Sequence, residues 1–313
     1  MSFRSFLKLV EIQTKIASLF PFLIGLLFVI FKYDQFNLVN TLIFFSAMLL
    51  FDLTTTAINN YVDYQKASSK TYRERDNVIG QFGLPLNLVR ATILTMLIIS
   101  IGLGLWLVYR TDLLILLVGM LFFAIGIFYT FGPIPLSRMP LGEVFSGVTM
   151  GFGIIFLTVY INAHQARIAN LRIEGLELQF NADLLLLLQI FIIALPSVLT
   201  IANLMLANNI CDLEDDIKNH RYTLPYYIGK QRAIYLFNAL YVLTFISVVG
   251  AVLLNLVPTL LLGIVIIIVP IYKNVKKFNR KQVKSETFSL AVKNLILING
   301  TIVILFGMAL IWI

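Results

Sequence analysis

Apolar runs of about 20 residues recur along the whole chain, and this repetition limits the possible folds more than any other feature. A helix of about 20 apolar residues is long enough to cross the hydrocarbon core of a bilayer. The chain is 59% hydrophobic, 13% of its residues are charged, and its mean hydropathy is +0.90. The runs predict an all-α polytopic membrane protein with about nine transmembrane helices. The predicted spans are residues 16–31, 38–58, 91–109, 113–131, 142–162, 184–206, 233–255, 257–272 and 290–313.

Lys and Arg are distributed unevenly among the predicted loops. With a cytoplasmic N-terminus and nine crossings, 20 of the 24 Lys and Arg fall on the cytoplasmic side. Cytoplasmic loops retain basic residues during insertion, whereas short external loops avoid them. The pattern therefore predicts a multi-pass plasma-membrane protein with an external C-terminus. The cytoplasmic loops are residues 64–90, 132–141, 207–232 and 273–289 of a single domain, residues 1–313.

The formal net charge of +8 raises the question of a nucleic-acid partner. The asymmetry of the loops and the attraction of basic residues to anionic lipid heads already account for this excess. We therefore expect the lipid bilayer as a partner and no nucleic acid.

Two polar motifs stand at the ends of predicted spans. They follow spans two and six and consist of Asn59, Asn60 and Asp63, then Asn208, Asp212 and Asp216. A spacing of four residues keeps side chains on one helix face, about 6 Å apart along the axis. Both motifs follow even-numbered spans, so both are expected at the same membrane face. Chance rarely duplicates such a pattern, and the duplication indicates one shared oxygen-lined site.

The chemistry of these motifs points to a metal and a phosphate. Mg²⁺ prefers oxygen ligands and is commonly shared between one or two carboxylates and substrate phosphates. Basic residues follow both motifs, as phosphate binding requires. These are Lys66, Lys70, Arg73 and Arg75 after the first motif, then Lys218, Arg221, Lys230 and Arg232 after the second. Taken singly, charged residues just beyond a span are also typical of solvated loop.

Two further carboxylates belong to predicted spans. Asp52 lies within span two and Glu143 at the start of span five. Ionisable groups in a membrane are costly and are usually satisfied by partners inside the protein. We expect Asp52 to bond a neighbouring helix or a water, and Glu143 to bond across spans or to approach the site. The external segment 164–183 has no assigned structure.

The two motifs resemble those of the UbiA superfamily of intramembrane prenyltransferases. Members carry an Asn/Asp-rich motif after the second span and Asn-x-x-x-Asp-x-x-x-Asp after the sixth, which Asn208, Asp212 and Asp216 match fully. Arg221–Pro225, with Gly229 and Lys230, resembles the family's loop after the second motif. Tyr129–Leu136 followed by Leu141–Glu143 is similar to the family's segment that joins spans four and five. In the first motif, Asn60 stands where many relatives have Asp, which leaves Asp63 as the one carboxylate.

The resemblance implies a UbiA-type bundle around a central cavity open to the cytoplasm, and it assigns roles. Mg²⁺ would be held by Asn59, Asp63, Asn208, Asp212 and Asp216, of which the three aspartates are the catalytic residues. The cation formed from a polyprenyl diphosphate would be stabilised by electron-rich rings, for which Tyr61, Tyr64 and Tyr129 are candidates. The remaining substrate-binding candidates are Asn60, Lys66, Arg75, Arg138, Lys218, Arg221 and Lys230.

Within the superfamily, the menaquinone branch resembles this chain best. Both have the pattern Asn-x-Tyr-x-Asp-Tyr, formed here by Asn59, Tyr61, Asp63 and Tyr64, and both have a small residue at the position of Ala67. This implies Mg²⁺-dependent prenylation of 1,4-dihydroxy-2-naphthoate with loss of CO₂, giving demethylmenaquinone. One alternative is another aromatic acceptor such as 4-hydroxybenzoate. A second is a cation-coupled transporter, whose ion sites are expected nearer the bilayer midplane.

Overall fold

The structure is a computed structural model that describes residues 1–67, 72–130, 136–163, 166, 168–175 and 177–312. It is helical over most of this length. The first helices are α1 (Phe3–Leu9), α2 (Ile16–Tyr33), α3 (Leu38–Lys66), α4 (Val78–Gln81), α5 (Leu86–Arg110), α6 (Leu113–Thr130), α7 (Gly142–Ser146) and α8 (Ile154–Asn162). Strands β1 (Ala169–Glu174) and β2 (Glu177–Ala182) follow. The remaining helices are α9 (Leu184–Cys211), α10 (Leu213–Lys218), α11 (Leu224–Ile228), α12 (Lys230–Leu253), α13 (Ile268–Arg280) and α14 (Phe288–Ile311).

Helices long and apolar enough to cross a membrane dominate the fold, which confirms an all-α polytopic membrane protein. The described residues contain eight of them, namely Ile12–Tyr33, Leu38–Lys66, Leu86–Arg110, Gly142–Asn162, Leu184–Cys211, Lys230–Leu253, Thr259–Arg280 and Phe288–Ile311. A shorter apolar helix, Leu113–Tyr129, lies where the fourth span is predicted. Several helices continue beyond their predicted ends. The predicted ends mark where the apolar run stops, whereas the backbone can remain helical through the polar residues that follow.

The chain forms two compact units. The first unit comprises Met1–Ile16 and Leu38–Pro135. Its core is a buried cluster from α1, α3, α4 and α5, with members Leu9, Val10, Leu53, Ala57, Ile79, Leu84, Val89, Ile93 and Met96. Helix α3 therefore has one face buried among its neighbours, and its C-terminal turns carry the first motif.

The second unit comprises Ala17–Asn37 and Leu136–Ile313 and is built around α9. Helix α9 packs against α12, α14 and the α7–α8 segment. A π-helical stretch, Gly147–Gly153, joins α7 to α8 and lies close to α9. A Cβ placed on Gly151 would lie 2.6 Å from the backbone nitrogen of Val198. Small residues let membrane helices approach closely, and here they allow the Gly147–Gly153 stretch to pack against the middle of α9.

Hydrogen bonds also join the buried helices of the second unit. The amide of Asn299 on α14 accepts from Ser197 Oγ at 2.8 Å and donates to Thr200 Oγ1 at 2.9 Å. Asn203 donates to the backbone oxygen of Phe237 on α12 at 2.9 Å. Within a membrane such bonds satisfy polar groups that have no access to water, so they fix α9 against two neighbours.

The segment without an assigned structure contains a β-hairpin. Strands β1 and β2 pair antiparallel, with Ala169 opposite Ala182. The hydroxyl of Tyr160 on α8 donates to the backbone oxygen of Ala169 at 3.0 Å and ties the hairpin to the helix before it. Gly175, at φ 66°, lies in the connecting turn. The sequence did not predict this hairpin, because each strand has only six residues. The alternation of polar and apolar residues over so short a stretch is a weak signal in a chain of long apolar runs.

Candidate active site

The first motif lies on the continuous helix α3, as predicted. Asn59 is half-buried and Asp63 is exposed, one turn apart on the same face. Asp52 and Thr56 share this face, because their spacings of four, three and four residues return to one side of a helix. The two motif residues are therefore the outer end of a polar stripe that runs into the membrane-spanning part of α3.

A buried lysine pairs with the inner end of this stripe. Lys15, in the 3₁₀ turn Ile12–Lys15, places Nζ 2.7 Å from Asp52 Oδ1 and donates to Thr56 Oγ1 at 2.6 Å. The side chains of Lys15 and Asp52 are 7% and 16% exposed. Asp52 thus bonds a neighbouring helical turn, one of the two partners expected for it. The pair satisfies both charges where solvation is poor.

Asn60 holds the first unit together. Its amide donates to the backbone oxygen of Leu9 at 3.0 Å and to Glu11 Oε1 at 3.3 Å. Its own backbone oxygen accepts from Asn77 Nδ2 at 2.9 Å. These contacts connect α3 to the N-terminal segment and to the start of α4. They are structural contacts, and the binding of substrate by Asn60 stays a prediction.

Arginines cover two of the tyrosines near the first motif. The guanidinium of Arg90 lies 5.6 Å from the ring centroid of Tyr61, and that of Arg73 lies 5.6 Å from the ring of Tyr64. Arg90 Nε also donates to the Tyr61 hydroxyl at 2.5 Å. The electron-rich faces proposed to stabilise a carbocation are therefore engaged by cations in this structure. Both arginines are exposed.

The other substrate-binding candidates of the first unit lie at its periphery. Lys66 is exposed at the end of α3, and Arg75 is exposed in the π-helical turn Tyr72–Asp76. Tyr129 is half-buried near the end of α6. The landmark that begins at Tyr129 continues through residues 131–135, which lie outside the described residues.

The second motif spans a break in the helix, which the sequence did not predict. Helix α9 ends at Cys211, and Asp212, at φ −94° and ψ 3°, separates it from α10. The backbone nitrogen of Asp212 still donates to Asn208 O at 3.0 Å, and that of Asp216 donates to Asp212 O at 2.7 Å. These bonds preserve the four-residue step, so the three side chains keep an approximately helical order.

Each aspartate of the second motif is paired with a cation. Lys284, from the segment before α14, donates to Asp212 Oδ2. Arg221 Nε lies 3.3 Å from Asp216 Oδ1, and the same guanidinium donates to the backbone oxygen of Ser137 at 3.3 Å. Arg221 was predicted as an anion-binding residue, whereas Lys284 was not. It lies 72 residues from Asp212 and has no spacing signal of its own.

Asp216 is the most buried carboxylate of the motif. Its residue is 4% exposed, and Oδ2 has no hydrogen-bond partner among the residues that the structure describes. Burial raises the pKa of Asp216 above its ordinary value, with Asp212 and Asp215 adding to this effect and Arg221 and Lys284 opposing it. A second cation at Oδ2 would offset the cost of this burial.

Glu143, at the start of α7, forms a hydrogen bond with a residue next to the second motif. Glu143 and Asn209 are 5% and 2% exposed, and Asn209 Nδ2 donates to Glu143 Oε1 at 2.9 Å. The expectation that Glu143 bonds across spans is confirmed. Asn209 directly follows Asn208, so this bond fixes the last turn of α9.

The remaining basic candidates of the second unit have different surroundings. Lys218 forms an exposed pair with Asp215 at 3.2 Å. Lys230 is exposed at the first residue of α12. Arg138 is half-buried, and its backbone oxygen accepts from the nitrogen of Tyr222 at 3.1 Å. The structure thus brings Arg221, but not Lys218, to the carboxylates of the motif.

The oxygen donors of these motifs fit a divalent cation such as Mg²⁺. Across the described ranges, no three His, Cys, Asp or Glu side chains form a metal-binding group. Mg²⁺ does not require one, because it commonly takes one or two carboxylates and completes its shell with water and phosphate. The buried Asp216 Oδ2, without a described partner, is an oxygen available for such an ion.

The fold and these motifs define an integral membrane protein with acidic motifs at the ends of its helices. The model of the UbiA prenyltransferase family matches residues 18–311, and the chain belongs to this family. It is a membrane-embedded prenyltransferase.

Relatives of known name or structure agree with this assignment. The chain is 26% identical over 242 residues to a 1,4-dihydroxy-2-naphthoate octaprenyltransferase of Bacillus subtilis, covering 77% of this chain and 71% of that protein. A UbiA homologue from Aeropyrum pernix K1 gives a TM-score of 0.69 at 17% identity, over 93% of this chain and 98% of that one. A homologue from Archaeoglobus fulgidus bound to DMAPP and Mg²⁺ gives 0.66 at 14% identity, over 99% of both chains. The structural matches show a shared fold.

Proposed function

We propose that this prenyltransferase transfers a polyprenyl group from its diphosphate to 1,4-dihydroxy-2-naphthoate, with loss of CO₂. The name of the Bacillus subtilis relative supports this acceptor. The first motif also supports this acceptor, because its pattern Asn-x-Tyr-x-Asp-Tyr resembles that of the menaquinone branch. The pattern is formed by Asn59, Tyr61, Asp63 and Tyr64. The single family match over residues 18–311 supports one catalytic domain.

The observation that carries the proposal is the pairing of carboxylates and cations at the second motif. Asp212 meets Lys284, and the buried Asp216 meets Arg221. A diphosphate needs both kinds of group, since a metal held by carboxylates and positive side chains both neutralise its oxygens. Carboxylates for a metal and positive side chains for a diphosphate therefore lie together at the end of α9, where the helix breaks at Asp212.

We assign metal binding to Asn59, Asp63, Asn208, Asp212 and Asp216. Bound Mg²⁺ would neutralise negative charge on the departing diphosphate. Arg221 would hold the diphosphate and Asp216 in one orientation, since its guanidinium already forms an ion pair with Asp216 and donates a hydrogen bond to the backbone oxygen of Ser137. Convergence of the two motifs on one diphosphate rests on their predicted position at the same membrane face.

The proposed reaction balances without a general base. The allylic C–O bond breaks and the diphosphate leaves with its electron pair. The ring carbon that carries the carboxylate forms the new C–C bond, and loss of CO₂ restores aromaticity. The product is demethylmenaquinone in its reduced form. Basic side chains near the site, with Arg138 and Lys230 as candidates, would hold the acceptor's carboxylate until the bond forms.

The proposed place of this chemistry is the cytoplasmic face of the plasma membrane. The distribution of Lys and Arg supports a cytoplasmic N-terminus and an external C-terminus. Buried among apolar helices, each CH₂ of a prenyl tail contributes about 0.8 kcal/mol relative to water, which suits a donor that resides in the bilayer.

An acceptor panel tests the proposal. Purified protein would be given labelled polyprenyl diphosphate, Mg²⁺ and carboxyl-labelled 1,4-dihydroxy-2-naphthoate. Equal amounts of prenylated product and released CO₂ are expected. Prenylation of 4-hydroxybenzoate without CO₂ release, and none of the naphthoate, would overturn the acceptor and leave the prenyltransferase in place.

A further inference from the structure

The segment between α13 and α14 folds back on itself beside the second motif. We call residues 281–287 the 281–287 turn. Lys281 Nζ pairs with both carboxylate oxygens of Glu286, at 2.6 and 2.8 Å. Thr287 closes the turn, since its nitrogen donates to Val283 O at 2.8 Å and its hydroxyl accepts from Val283 N at 3.0 Å. The turn therefore presents Lys284 from a defined backbone.

Lys284 is placed to act on more than Asp212. Its side chain is 54% exposed, whereas that of Asp212 is 19% exposed. An ammonium group carries three donors, and one of them is used at Asp212 Oδ2. The other two remain accessible from solvent beside a carboxylate to which we assign a metal ion. An incoming diphosphate would meet this ammonium group at the edge of the motif.

The same oxygen cannot serve Lys284 and a metal ion equally well. Both bind lone pairs of the Asp212 carboxylate, and two cations held on one oxygen would repel each other. Lys284 would therefore leave Oδ2 of Asp212 if a metal were held there, and the nearest new anion would be a diphosphate bound with that metal. Lysine is a compact, flexible cation that suits such an exchange.

We propose that Lys284 is a diphosphate-binding residue that leaves Asp212 for phosphate oxygens when the metal and diphosphate bind. The inference rests on the proposed function, because it requires a diphosphate at the second motif. No covalent bond changes in this step. Before substrate arrives, Lys284 compensates the charge of Asp212 and lowers its affinity for metal alone.

The proposal predicts changes of opposite sign for one substitution. Lys284→Met keeps the apolar stem and removes the charge. Affinity for geranyl thiolodiphosphate with saturating Mg²⁺ should fall at least about 10-fold, since a charge-assisted bond is lost. Affinity for Mn²⁺ alone should rise, since the competitor at Asp212 is gone. A merely structural role would move both affinities in the same direction.

Lys281→Met is the matched control. It removes a lysine from the same turn whose partner is Glu286. The test would use the full-length chain in detergent, with calorimetry for the thiolodiphosphate and the electron paramagnetic resonance of free Mn²⁺ for the metal. Lys281→Met should match wild type in both, and Lys284→Arg should recover part of the diphosphate affinity.

Both predicted changes in Lys284→Met together support the proposal. A diphosphate affinity within about twofold of wild type, or a Mn²⁺ affinity that does not rise, overturns it. If wild type itself binds no prenyl thiolodiphosphate with Mg²⁺, the proposed function fails first. If wild type binds it and Lys284→Met binds it equally, only the assignment of Lys284 fails.

Discussion

Asn209 donates a hydrogen bond to Glu143 across two membrane-spanning segments, at 2.9 Å and with both residues buried. The donor directly follows Asn208 of the second motif, so a contact between α7 and α9 sets the position of proposed metal ligands. Burial makes the bond costly to lose, since neither partner can turn to water instead.

Glu143→Leu should therefore destabilise the protein by about 1–2 kcal/mol and lower turnover, because the Asn209 amide loses its acceptor. Glu143→Gln should retain both properties, since its amide oxygen can accept the same bond. Thermal unfolding in detergent, followed by a turnover assay, checks both variants. Equal loss of stability in the two would show that the negative charge, not the hydrogen bond, matters.

Asp216→Asn should reduce turnover by about 100-fold or more, since it removes the charge proposed to hold the metal and to orient Arg221. The matched control is Asp215→Asn. Asp215 is the preceding residue, but its side chain is 80% exposed and pairs with the exposed Lys218. Turnover of the control should stay within about twofold of wild type. Initial rates of prenyl transfer decide the matter, and an active Asp216→Asn enzyme would remove this residue from the site.

Lys15→Met should destabilise the first unit by about 3–5 kcal/mol, because it removes the buried positive charge that pairs with the carboxylate of Asp52. The double variant Lys15→Met with Asp52→Leu should recover much of that loss, since both charges are then absent. Thermal unfolding of wild type, Lys15→Met, Asp52→Leu and the double variant forms a double-mutant cycle. Additive losses would mean that the two residues do not stabilise each other.

Gly151→Ala should destabilise by about 1–3 kcal/mol, because its Cβ would lie 2.6 Å from the backbone of Val198 and would force α9 away. Gly102→Ala, in α5, has no neighbour within 4 Å of the added carbon and should be neutral or slightly stabilising. Unfolding midpoints of the two variants compare the sites directly. A neutral Gly151→Ala would contradict the close approach of α7–α8 to α9.

Features with a local cause could be predicted from the sequence. Long apolar runs gave the transmembrane helices, because length and hydropathy decide whether a segment crosses a bilayer. The four-residue step from Asn59 to Asp63 is correct because α3 continues to Lys66. The bond of Glu143 across spans was expected because a buried carboxylate needs a partner.

Features that depend on contacts between residues far apart in the sequence could not be predicted. Lys284 and Asp212 are far apart in sequence, and Lys15 pairs with a residue one helix further along the chain. No spacing rule connects such residues. The break at Asp212 was missed since the motif reads equally well on a continuous helix. The roles of the motif residues stay predictions of the sequence resemblance.

The proposed function depends on a divalent metal held by the Asn/Asp motifs of this prenyltransferase. Its most direct test is prenyl transfer to 1,4-dihydroxy-2-naphthoate by purified protein, measured with Mg²⁺, after removal of the metal by EDTA, and after Mg²⁺ is restored. We expect activity to disappear with EDTA and to return with Mg²⁺, and the Asp212→Ala protein to stay inactive throughout. Full activity in EDTA, or an Asp212→Ala protein as active as wild type, would contradict the account.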